Sequence, residues 1–327
     1  MLHLRGYNEK RFTNCHFMKP IIDRVDSALI ERELKQGHFA RKTNNIGNEI
    51  YIFHGNDAPN AMQEVGRLRE FTFRQAGGGT GKVADIDKYD IDEGVFKQLI
   101  VWDPELKIIV GGYRFALGTE LPKDEKGKPI SPTSHLFELS DNFLLNCLPK
   151  SIELGRSFVQ PEYQSTGNVK KSIFALDNLW DGLGLLLVDN PEMENFFGKI
   201  TMYTHYPVPA RDAILYFLKT FFPDNEGLIR PKQPLKTQTP DEFFETVFVG
   251  KTLEENYKIL INTVRNHQTA IPPLVNAYIK LSPTMKSFGT AINYNFGDVE
   301  ETGILIKIDD IYESKKKRYV TNIQRHP

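Results

Sequence analysis

A strand-like stretch near the middle of the chain, residues 151–159, runs through a turn into a helix-like stretch, residues 169–188. The residues at this junction have types and spacing that suit a bound phosphate: Gln164, Gly167, Asn168, Lys170 and Lys171. The backbone N–H groups of a Gln-x-x-Gly turn and the N-terminus of the next helix point at one spot, which favours an anion. The two lysines fall in the first helical turn, where cations oppose the helix dipole, so a bound anion would explain them. The alternative is a chance junction with two solvated lysines.

Two other segments are similar to ligand-binding motifs but lack the required spacing. In the glycine-rich run 77–82, Ala76 stands where a P-loop needs glycine, and Val83 follows the lysine where serine or threonine is needed. The acidic residues that come next do not have EF-hand spacing: Asp85, Asp87, Asp90, Asp92 and Glu93. The sequence therefore predicts a mobile surface loop at 77–82, then a solvated or functional acidic loop, and no metal site.

The composition excludes several broad classes of protein. The 327 residues include 41 basic and 42 acidic side chains, and this balance argues against a dedicated nucleic-acid binder. The two cysteines, Cys15 and Cys147, form no CxxC pair, so neither a zinc site nor a disulfide framework is predicted. The N-terminus has no apolar signal region, and the longest apolar run, 183–188, is far shorter than the ~20 residues of a membrane span. We expect a cytoplasmic protein.

The predicted elements are a mixture of strands and helices. Enrichment in β-forming residues predicts strands at 48–54, 95–102, 107–116, 151–159, 196–203, 291–296 and 303–308. Helical spacing of apolar residues predicts helices within 18–42 and at 58–75, 169–188, 209–222, 252–267 and 272–281. Residues 119–134 are expected to form a long loop. Because strands and helices do not alternate regularly, the pattern indicates an α/β protein without a plain doubly wound parallel sheet.

Several ordered segments, spread over most of the chain, resemble one known family. The most specific is Glu153-Leu154-Gly155-Arg156-Ser157-Phe158-Val159, followed by Pro161-Glu162-Tyr163. The others are Arg67-Leu68-Arg69, Phe73-Arg74, Gly79-Thr80-Gly81, Asp85-x-Asp87-x-x-Asp90, Gly111-Gly112-Tyr113-Arg114 and Ile271-Pro272-Pro273-Leu274. Together they resemble the N-acyltransferases of ornithine-lipid and glycine-lipid synthesis. These enzymes are often called hemolysin-like and belong to the GNAT superfamily, as relatives of the acyl-homoserine-lactone synthases.

The resemblance implies a fold and an activity. The fold would be a GNAT-like mixed, splayed central sheet with helices on both faces and a helical insertion. The activity would be transfer of a fatty acyl group, such as a 3-hydroxyacyl group, from acyl carrier protein to the amine of glycine or ornithine. The product would be a lyso aminolipid, and no cofactor would be tightly bound. The alternatives are an acetyl-coenzyme A-dependent N-acetyltransferase, a non-catalytic GNAT-like binding protein and a hemolysin.

The same resemblance divides the chain into four parts. These are an N-terminal extension (1–44), an acyltransferase core (45–222 and 271–313), a helical insertion that caps an acyl tunnel (223–270) and a basic tail (314–327). The tail contains four consecutive cations, Lys315 to Arg318, which predict peripheral contact with anionic lipid at the inner face of the membrane. A solvated tail is the alternative.

The acyl donor of such an enzyme is a thioester of either acyl carrier protein or coenzyme A. The superfamily's pyrophosphate loop usually reads Gln/Arg-x-x-Gly-x-Gly/Ala, and here Val169 occupies its last position. A carrier protein offers one phosphate where coenzyme A offers a diphosphate, so the altered loop favours acyl carrier protein as the partner.

Aminolysis of a thioester needs a base, a site for the oxyanion and a group that protonates the leaving thiolate. Glu153 is the predicted base. A regular strand would place Glu153 and Arg156 on opposite faces, but a bulge at Gly155 would re-aim them and free an N–H for the oxyanion. The alternative is an ordinary ion pair between the two side chains. Tyr203 and His205, after the next strand, are the candidate acids.

An amino-acid acceptor would bring a carboxylate, which a guanidinium binds with two parallel hydrogen bonds. Arg69, Arg74 and Arg114 are candidates for this contact. The resemblance favours Arg69, with Asp87 and Asp90 completing the acceptor side. The alternative is that these residues form salt bridges that anchor a loop.

Overall fold

The computed structural model describes residues 18–44, 47–91, 95–163 and 169–317, with only the backbone for 169–173 and 176. The α-helices in these ranges are α1 (Ser27–Leu34), α2 (Pro59–Gln75), α3 (Lys88–Ile91), α4 (Pro132–Leu136), α5 (Val169–Asp189), α6 (Val208–Phe221), α7 (Asp241–Val247), α8 (Leu253–Asn266), α9 (Pro273–Ile279) and α10 (Glu313–Lys316). The strands are β1 (Phe39–Lys42), β2 (Glu49–His54), β3 (Lys97–Asp103), β4 (Ile108–Leu117), β5 (Phe137–Leu139), β6 (Ser151–Val159), β7 (Asn195–Met202), β8 (Ile229–Pro231), β9 (Lys286–Asn293) and β10 (Val299–Lys307).

Eight of these strands form one sheet in the order β1-β2-β3-β4-β6-β7-β10-β9. All neighbouring strands in it are antiparallel except β6 and β7, which are parallel. The strands β5 and β8 form a separate antiparallel pair. The predicted mixed α/β architecture is therefore confirmed.

The sheet is splayed between β6 and β7. The two strands pair only from Ser151 opposite Asn195 to Leu154 opposite Gly198. Beyond this point β6 continues along β4 and β7 continues along β10, with no pairing between them. The divergence opens a gap in the middle of the sheet, as the sequence resemblance implied.

Helices cover both faces of the sheet, and the alternation of side chains along β3 shows which helix covers which face. Ile100 packs in a cluster with Leu68 of α2. The neighbouring Leu99 packs in a second cluster with Leu179 of α5. Because successive side chains of a strand point to opposite faces, α2 and α5 lie on opposite sides of the sheet. The helices α6 and α8 pack together in a third cluster that includes Ile304 of β10.

Several predicted elements differ from the structure. Helix α1 begins only at Ser27, where the Asp26 side chain accepts a hydrogen bond from the backbone of Ala28. The predicted loop 119–134 contains the start of α4, whose first turn is closed by a capping box between Ser131 and Ser134. The predicted strand 291–296 is shifted, since β9 ends at Asn293 and a 3-10 turn, Tyr294–Phe296, follows. The Asn293 side chain caps that turn by accepting a hydrogen bond from Asn295 N.

The glycine-rich segment 77–82 was expected to be mobile, and this prediction is wrong. Its anchor is Glu70 of α2, a carboxylate with no exposed surface. This carboxylate accepts hydrogen bonds from Thr80 N, Thr80 Oγ1 and Gly81 N at 2.7–3.0 Å. Gly78 lies so close to β10 that an added Cβ would be 2.9 Å from Cγ1 of Val299. The segment is therefore a fixed loop with a requirement for glycine.

Candidate functional site

A cavity passes through the sheet where β6 and β7 diverge. It encloses about 820 Å³, its solvent-facing mouth included. The polar side chains that line it are Arg114, Thr133, Glu153, Arg156, Ser157, Lys199, Thr201 and Glu301. Its apolar lining includes Phe73, Phe96, Leu154, Phe196, Phe197, Leu274, Tyr278, Phe296, Ile304 and Ile306. Charged and apolar groups therefore meet at one opening in the middle of the sheet.

Glu153 is the most deeply buried acid of the cavity, with 1% of its surface exposed. Its Oε1 accepts a hydrogen bond from Thr133 N at 3.0 Å, whereas no described residue donates a well-formed hydrogen bond to Oε2. Burial raises the pKa of Glu153, against the opposing effect of the nearby Thr133 and Ser131. A carboxylate with one unpaired oxygen and a raised pKa is suited to accept a proton near neutral pH.

The bulge predicted beside Glu153 is present, one position later than expected. The strands β4 and β6 pair at Gly112–Phe158 and again at Arg114–Gly155, so β6 carries one extra residue between the two pairs. Arg156 lies there with φ +53°, in the left-handed region that is rare for residues other than glycine. The bulge brings the Arg156 side chain to the cavity that Glu153 also lines.

Arg156 contacts the acidic segment before α3 rather than Glu153. Its Nε lies 2.8 Å from Oδ2 of Asp85, which has no exposed surface. Its guanidinium also covers the ring of Phe296 at 3.9 Å from the centroid. Burial raises the pKa of Asp85, and the charges of Arg156 and Arg69 oppose that shift. The predicted alternative, a direct ion pair between Glu153 and Arg156, is not formed.

The predicted acceptor residues lie together in one buried ionic network. Arg114 Nη1 lies 2.7 Å from Asp87 and 3.1 Å from Asp90, while Arg69 donates to Asp90 at 3.0 Å and to Gln98 at 2.5 Å. Burial alone would raise the pKa of Asp90, but the charges of Arg114 and Arg69 outweigh it and lower that pKa. Of the two arginines only Arg114 lines the cavity, so the guanidinium of Arg69 serves to hold Asp90. A contact between Arg69 and an acceptor stays a prediction.

Lys199 and Glu301 form a second ion pair in the cavity, which the sequence analysis did not identify. Lys199 Nζ lies 2.7 Å from Oε2 of Glu301 and donates to the carbonyl of Pro132 at 2.9 Å. Asn293 donates to the same Glu301 oxygen at 3.2 Å. The available signal was the pair of acidic residues, Glu300 and Glu301, within the strand β10, since buried charges in a strand need partners.

The candidate acids Tyr203 and His205 lie just beyond the end of β7. Their rings stack at a centroid distance of 6.1 Å, next to Gly77 and Gly78 of the fixed loop. Neither residue is part of the cavity lining, although burial raises the pKa of Tyr203 to about 12. Their role as acids stays a prediction.

A second, apolar cavity adjoins the first on the α5 side of the sheet, and its volume is about 330 Å³ with its solvent-facing mouth included. Its lining is Tyr113, Leu154, Ser157, Leu179, Trp180, Leu183, Leu274 and Tyr278. Four of these residues, Leu154, Ser157, Leu274 and Tyr278, also line the first cavity. The two spaces are therefore adjacent, and together they are called the path, with a charged half and an apolar half.

Residues 223–270 were predicted to cap the acyl tunnel, and this stays a prediction. Among the described residues, neither lining contains a residue of 223–270. Leu274 and Tyr278 of α9 line both cavities. The helices of the segment pack on α6, and its strand β8 pairs with β5. The four predicted domain boundaries stay predictions.

The predicted phosphate-binding residues Gln164, Gly167 and Asn168 lie outside the described residues. Lys170 and Lys171 are in the first turn of α5, which begins at Val169, and their side chains are likewise not described. In the described part of the chain, no cluster of His, Cys, Asp and Glu could hold a metal ion. None of the helices described is long and apolar enough to cross a membrane.

Comparison with known proteins gives consistent matches. Residues 68–172 match the acetyltransferase (GNAT) domain family. The chain is 55% identical to the glycine N(alpha)-acyltransferase of Bacteroides thetaiotaomicron, over 95% of this chain and 92% of that protein. It is 52% identical to the glycine N(alpha)-acyltransferase of Phocaeicola vulgatus, over 95% of both chains.

Among solved structures, an acyl-homoserine lactone synthase, BjaI, with SAM and isopentyl-CoA is similar at a TM-score of 0.37. The two chains are 12% identical over 84% of this chain and 90% of that one. The matches to the two acyltransferases extend over nearly the whole chain. The protein is therefore an acyltransferase of the GNAT superfamily and belongs to the same family as these two relatives.

Proposed function

We propose that the protein transfers a fatty acyl group from a carrier thioester to the amine of glycine. The observation that carries this proposal is the path through the sheet, which joins a buried carboxylate and several cations to an apolar cavity. A small charged acceptor suits the first half and an acyl chain suits the second. The names of the relatives support glycine as the acceptor. Ornithine is the alternative.

Glu153 would act as the base. An amino-acid ammonium group has a pKa of about 8 or above, so it must lose a proton before its nitrogen can attack the thioester carbonyl. That proton passes to Oε2 of Glu153, directly or through a water molecule. The C–N bond then forms, the carbonyl oxygen becomes an oxyanion, and the C–S bond breaks as the oxyanion collapses. The nitrogen is positively charged once the C–N bond has formed, so it loses its second proton, and the leaving thiolate takes up one proton to become the free thiol.

The cavity offers groups for the other charges of this reaction. The bulge leaves a residue of β6 without a partner in β4, and its N–H is the proposed donor to the oxyanion. Arg156, at the rim of the ionic network, is the cation that would attract the acceptor carboxylate. These two roles place the acceptor on the face of the sheet that carries Glu153.

The donor is proposed to be acyl carrier protein. Val169 departs from the small residue of a diphosphate loop, and the two lysines in the first turn of α5 suit an acidic carrier with a single phosphate. The product, a fatty acyl amino acid, is poorly soluble in water. We therefore propose that it is released at an anionic membrane surface that the basic tail contacts.

The direct test is a thiol-release assay with acyl carrier protein and glycine, followed by mass spectrometry of the product. We expect an N-acylglycine and free carrier thiol in equal amounts. Acetyl-coenzyme A is the comparison donor, and efficient acetylation without long-chain transfer would support the acetyltransferase alternative instead. Lipid mass spectrometry of cells with and without the protein then identifies the acceptor.

A further inference from the structure

Two buried oxygen atoms in the cavity that passes through the sheet have no hydrogen-bond partner among the described residues. They are Oε2 of Glu153 and Oγ1 of Thr133, and each residue is 1% exposed. No other described side chain in the lining of this cavity has a buried acceptor oxygen without a partner. Buried polar atoms without partners oppose folding, so two of them in one cavity call for an explanation.

The first turn of α4 is attached to both of the strands that diverge. Thr133 N donates to Oε1 of Glu153 in β6 at 3.0 Å, and the carbonyl of Pro132 accepts from Nζ of Lys199 in β7 at 2.9 Å. A capping box closes the same turn. Burial raises the pKa of Glu153, and the nearby hydroxyl of Thr133 opposes that shift. The Thr133 hydroxyl is therefore held close to the Glu153 carboxylate.

An ammonium group is the ligand that these two oxygens suit. It carries three N–H donors and a positive charge, whereas a carboxylate oxygen and a hydroxyl oxygen both accept hydrogen bonds. A ligand carboxylate would meet a like charge at Glu153, and it is drawn instead to the cations of the lining, such as Arg156. The two unpaired oxygens therefore define a place for the amine end of an amino acid.

We propose that the Thr133 hydroxyl binds the amine of the acceptor and positions it while Glu153 removes a proton. The inference rests on the proposed function and adds a residue that touches the reacting nitrogen. The ammonium donates one hydrogen bond to Oε2 of Glu153 and another to Oγ1 of Thr133. When one proton has passed to Glu153, an N–H of the neutral amine still donates to Thr133. The nitrogen therefore stays in place for its attack on the thioester carbonyl.

The test is Thr133→Val, which removes the hydroxyl but keeps the branched shape and the backbone N–H that donates to Glu153. We expect kcat/KM for glycine to fall by about 10- to 100-fold, the ratio that one hydrogen bond to a charged group supplies. The KM for the acylated carrier should not change, and Tm should not fall, because an unpaired polar group has been removed. Thr133→Ala should show the same loss, whereas Thr133→Ser keeps a hydroxyl and should retain most of the activity with glycine.

Thr72→Val is the matched control, because Thr72 of α2 also has a buried hydroxyl without a described partner but lines neither cavity. This variant should keep the wild-type kinetics for both substrates. The Thr133 proposal is overturned if Thr133→Val keeps the wild-type kcat/KM for glycine, if KM for the acylated carrier rises to the same extent, or if Thr133→Ser loses as much activity as Thr133→Val. In each case, turnover of glycine by the wild-type protein still supports the proposed function. Absence of that turnover would reject both.

Discussion

The Nε atom of Arg156 lies 2.8 Å from Oδ2 of Asp85, a carboxylate with no exposed surface. Replacing Arg156 by alanine leaves this buried acid without the cation that lies nearest to it. We expect Arg156→Ala to lower the free energy of unfolding by about 3–5 kcal/mol, the usual cost of breaking a buried ion pair from one side. Activity should fall as well, since the guanidinium lines the cavity. Urea unfolding and the thiol-release assay measure the two effects.

The double variant Asp85→Asn/Arg156→Ala is the control for this prediction. Because the double variant also removes the unpaired carboxylate of Asp85, it should recover much of the stability but not the activity. Burial raises the pKa of Asp85. Between the ordinary pKa and the raised one, the folded Arg156→Ala variant keeps a proton on Asp85 that its unfolded chain releases. Its stability should therefore decline as pH rises through the raised pKa. Equal stability of Arg156→Ala and wild type at all pH values would contradict the assignment.

Glu153→Gln is expected to reduce kcat by at least ~100-fold, the typical contribution of a general base. Glutamine keeps the shape of the side chain and can still accept from Thr133, so the fold should be preserved. Burial raises the pKa of Glu153. In wild type, kcat/KM should therefore fall at low pH with an apparent pKa above that of an ordinary carboxyl group. Glu194→Gln, an exposed member of a surface pair, is the control. A variant with wild-type kcat would exclude Glu153 as the base.

The same raised pKa predicts a stability effect with a definite sign. Between the ordinary value of 4.5 and the raised value, the native protein binds a proton at Glu153 that the unfolded chain has released. The contribution of Glu153 to stability is therefore lost as pH rises through this window. Glu153→Gln lacks this titrating group, so the Tm of the variant minus the Tm of the wild type should increase as pH rises. A constant difference in Tm between the two proteins would count against a raised pKa.

Glu70→Gln should release the glycine-rich loop. A glutamine retains one acceptor oxygen, so it cannot bind all the groups of Thr80, Gly81 and Arg74 that the carboxylate holds. We expect a loss of about 1.5–3 kcal/mol in stability, the contribution of a hydrogen bond to a charged group. Trypsin should also cleave faster after the exposed Lys82. The surface variant Glu192→Gln, at an exposed position, should change neither property. A protease-resistant loop in Glu70→Gln would show that other contacts hold it.

Charge reversal at the first turn of α5 tests the carrier protein as donor. Lys170→Glu/Lys171→Glu should raise KM for the acylated carrier several-fold, and more strongly at low salt, because surface charges attract over a Debye length of about 10 Å. The KM for glycine should not change. Lys251→Glu/Lys258→Glu, two exposed positions in and before α8, provides the same change in net charge elsewhere. Equal kcat/KM for acyl-coenzyme A and acyl carrier in the wild type would argue against a carrier-specific enzyme.

Removal of residues 314–327 tests the membrane contact. Each cation near an anionic surface contributes about 1 kcal/mol, so the tail should support weak binding that salt weakens. One of its cations, Lys316, also donates to the carbonyl of Asp309 at 2.6 Å, which ties the start of the tail to the fold. Co-sedimentation with anionic vesicles at low and high salt measures the binding. The prediction is wrong if the full chain does not bind at low salt or if the truncated chain binds equally well.

Elements with a strong local pattern were predictable from the sequence. The strand β6 is dense in β-forming residues and stops before Gln160-Pro161, and its observed bounds are those predicted. The strand β9 was misplaced because the turn after it depends on a cap from Asn293, a contact that apolar periodicity does not report. A bulge was expected at Gly155 for its backbone freedom, yet Arg156 adopts the left-handed conformation while held by Asp85.

The site was predictable in its residues but not in its contacts. Glu153, Arg156 and Arg114 do line one cavity, yet no spacing rule showed that Asp85 would pair with Arg156. The two residues of such a pair are far apart in the sequence, so their contact is known only from the folded structure. Lys199 and Glu301 were missed for the same reason, since they lie on different strands, β7 and β10, and are far apart in the sequence.

The gap between β6 and β7 also affects how the product leaves. On the proposed chemistry, the new amide bond forms within the plane of the sheet, with the head group on one face and the chain on the other. The flanking pairs of β6 with β4 and of β7 with β10 block any sideways exit. The product must therefore move along its own axis, so one of its ends has to pass between two strands. A head group without a side chain is narrow enough to pass between the strands behind the acyl chain. A head group with a large side chain would hold the product in the gap.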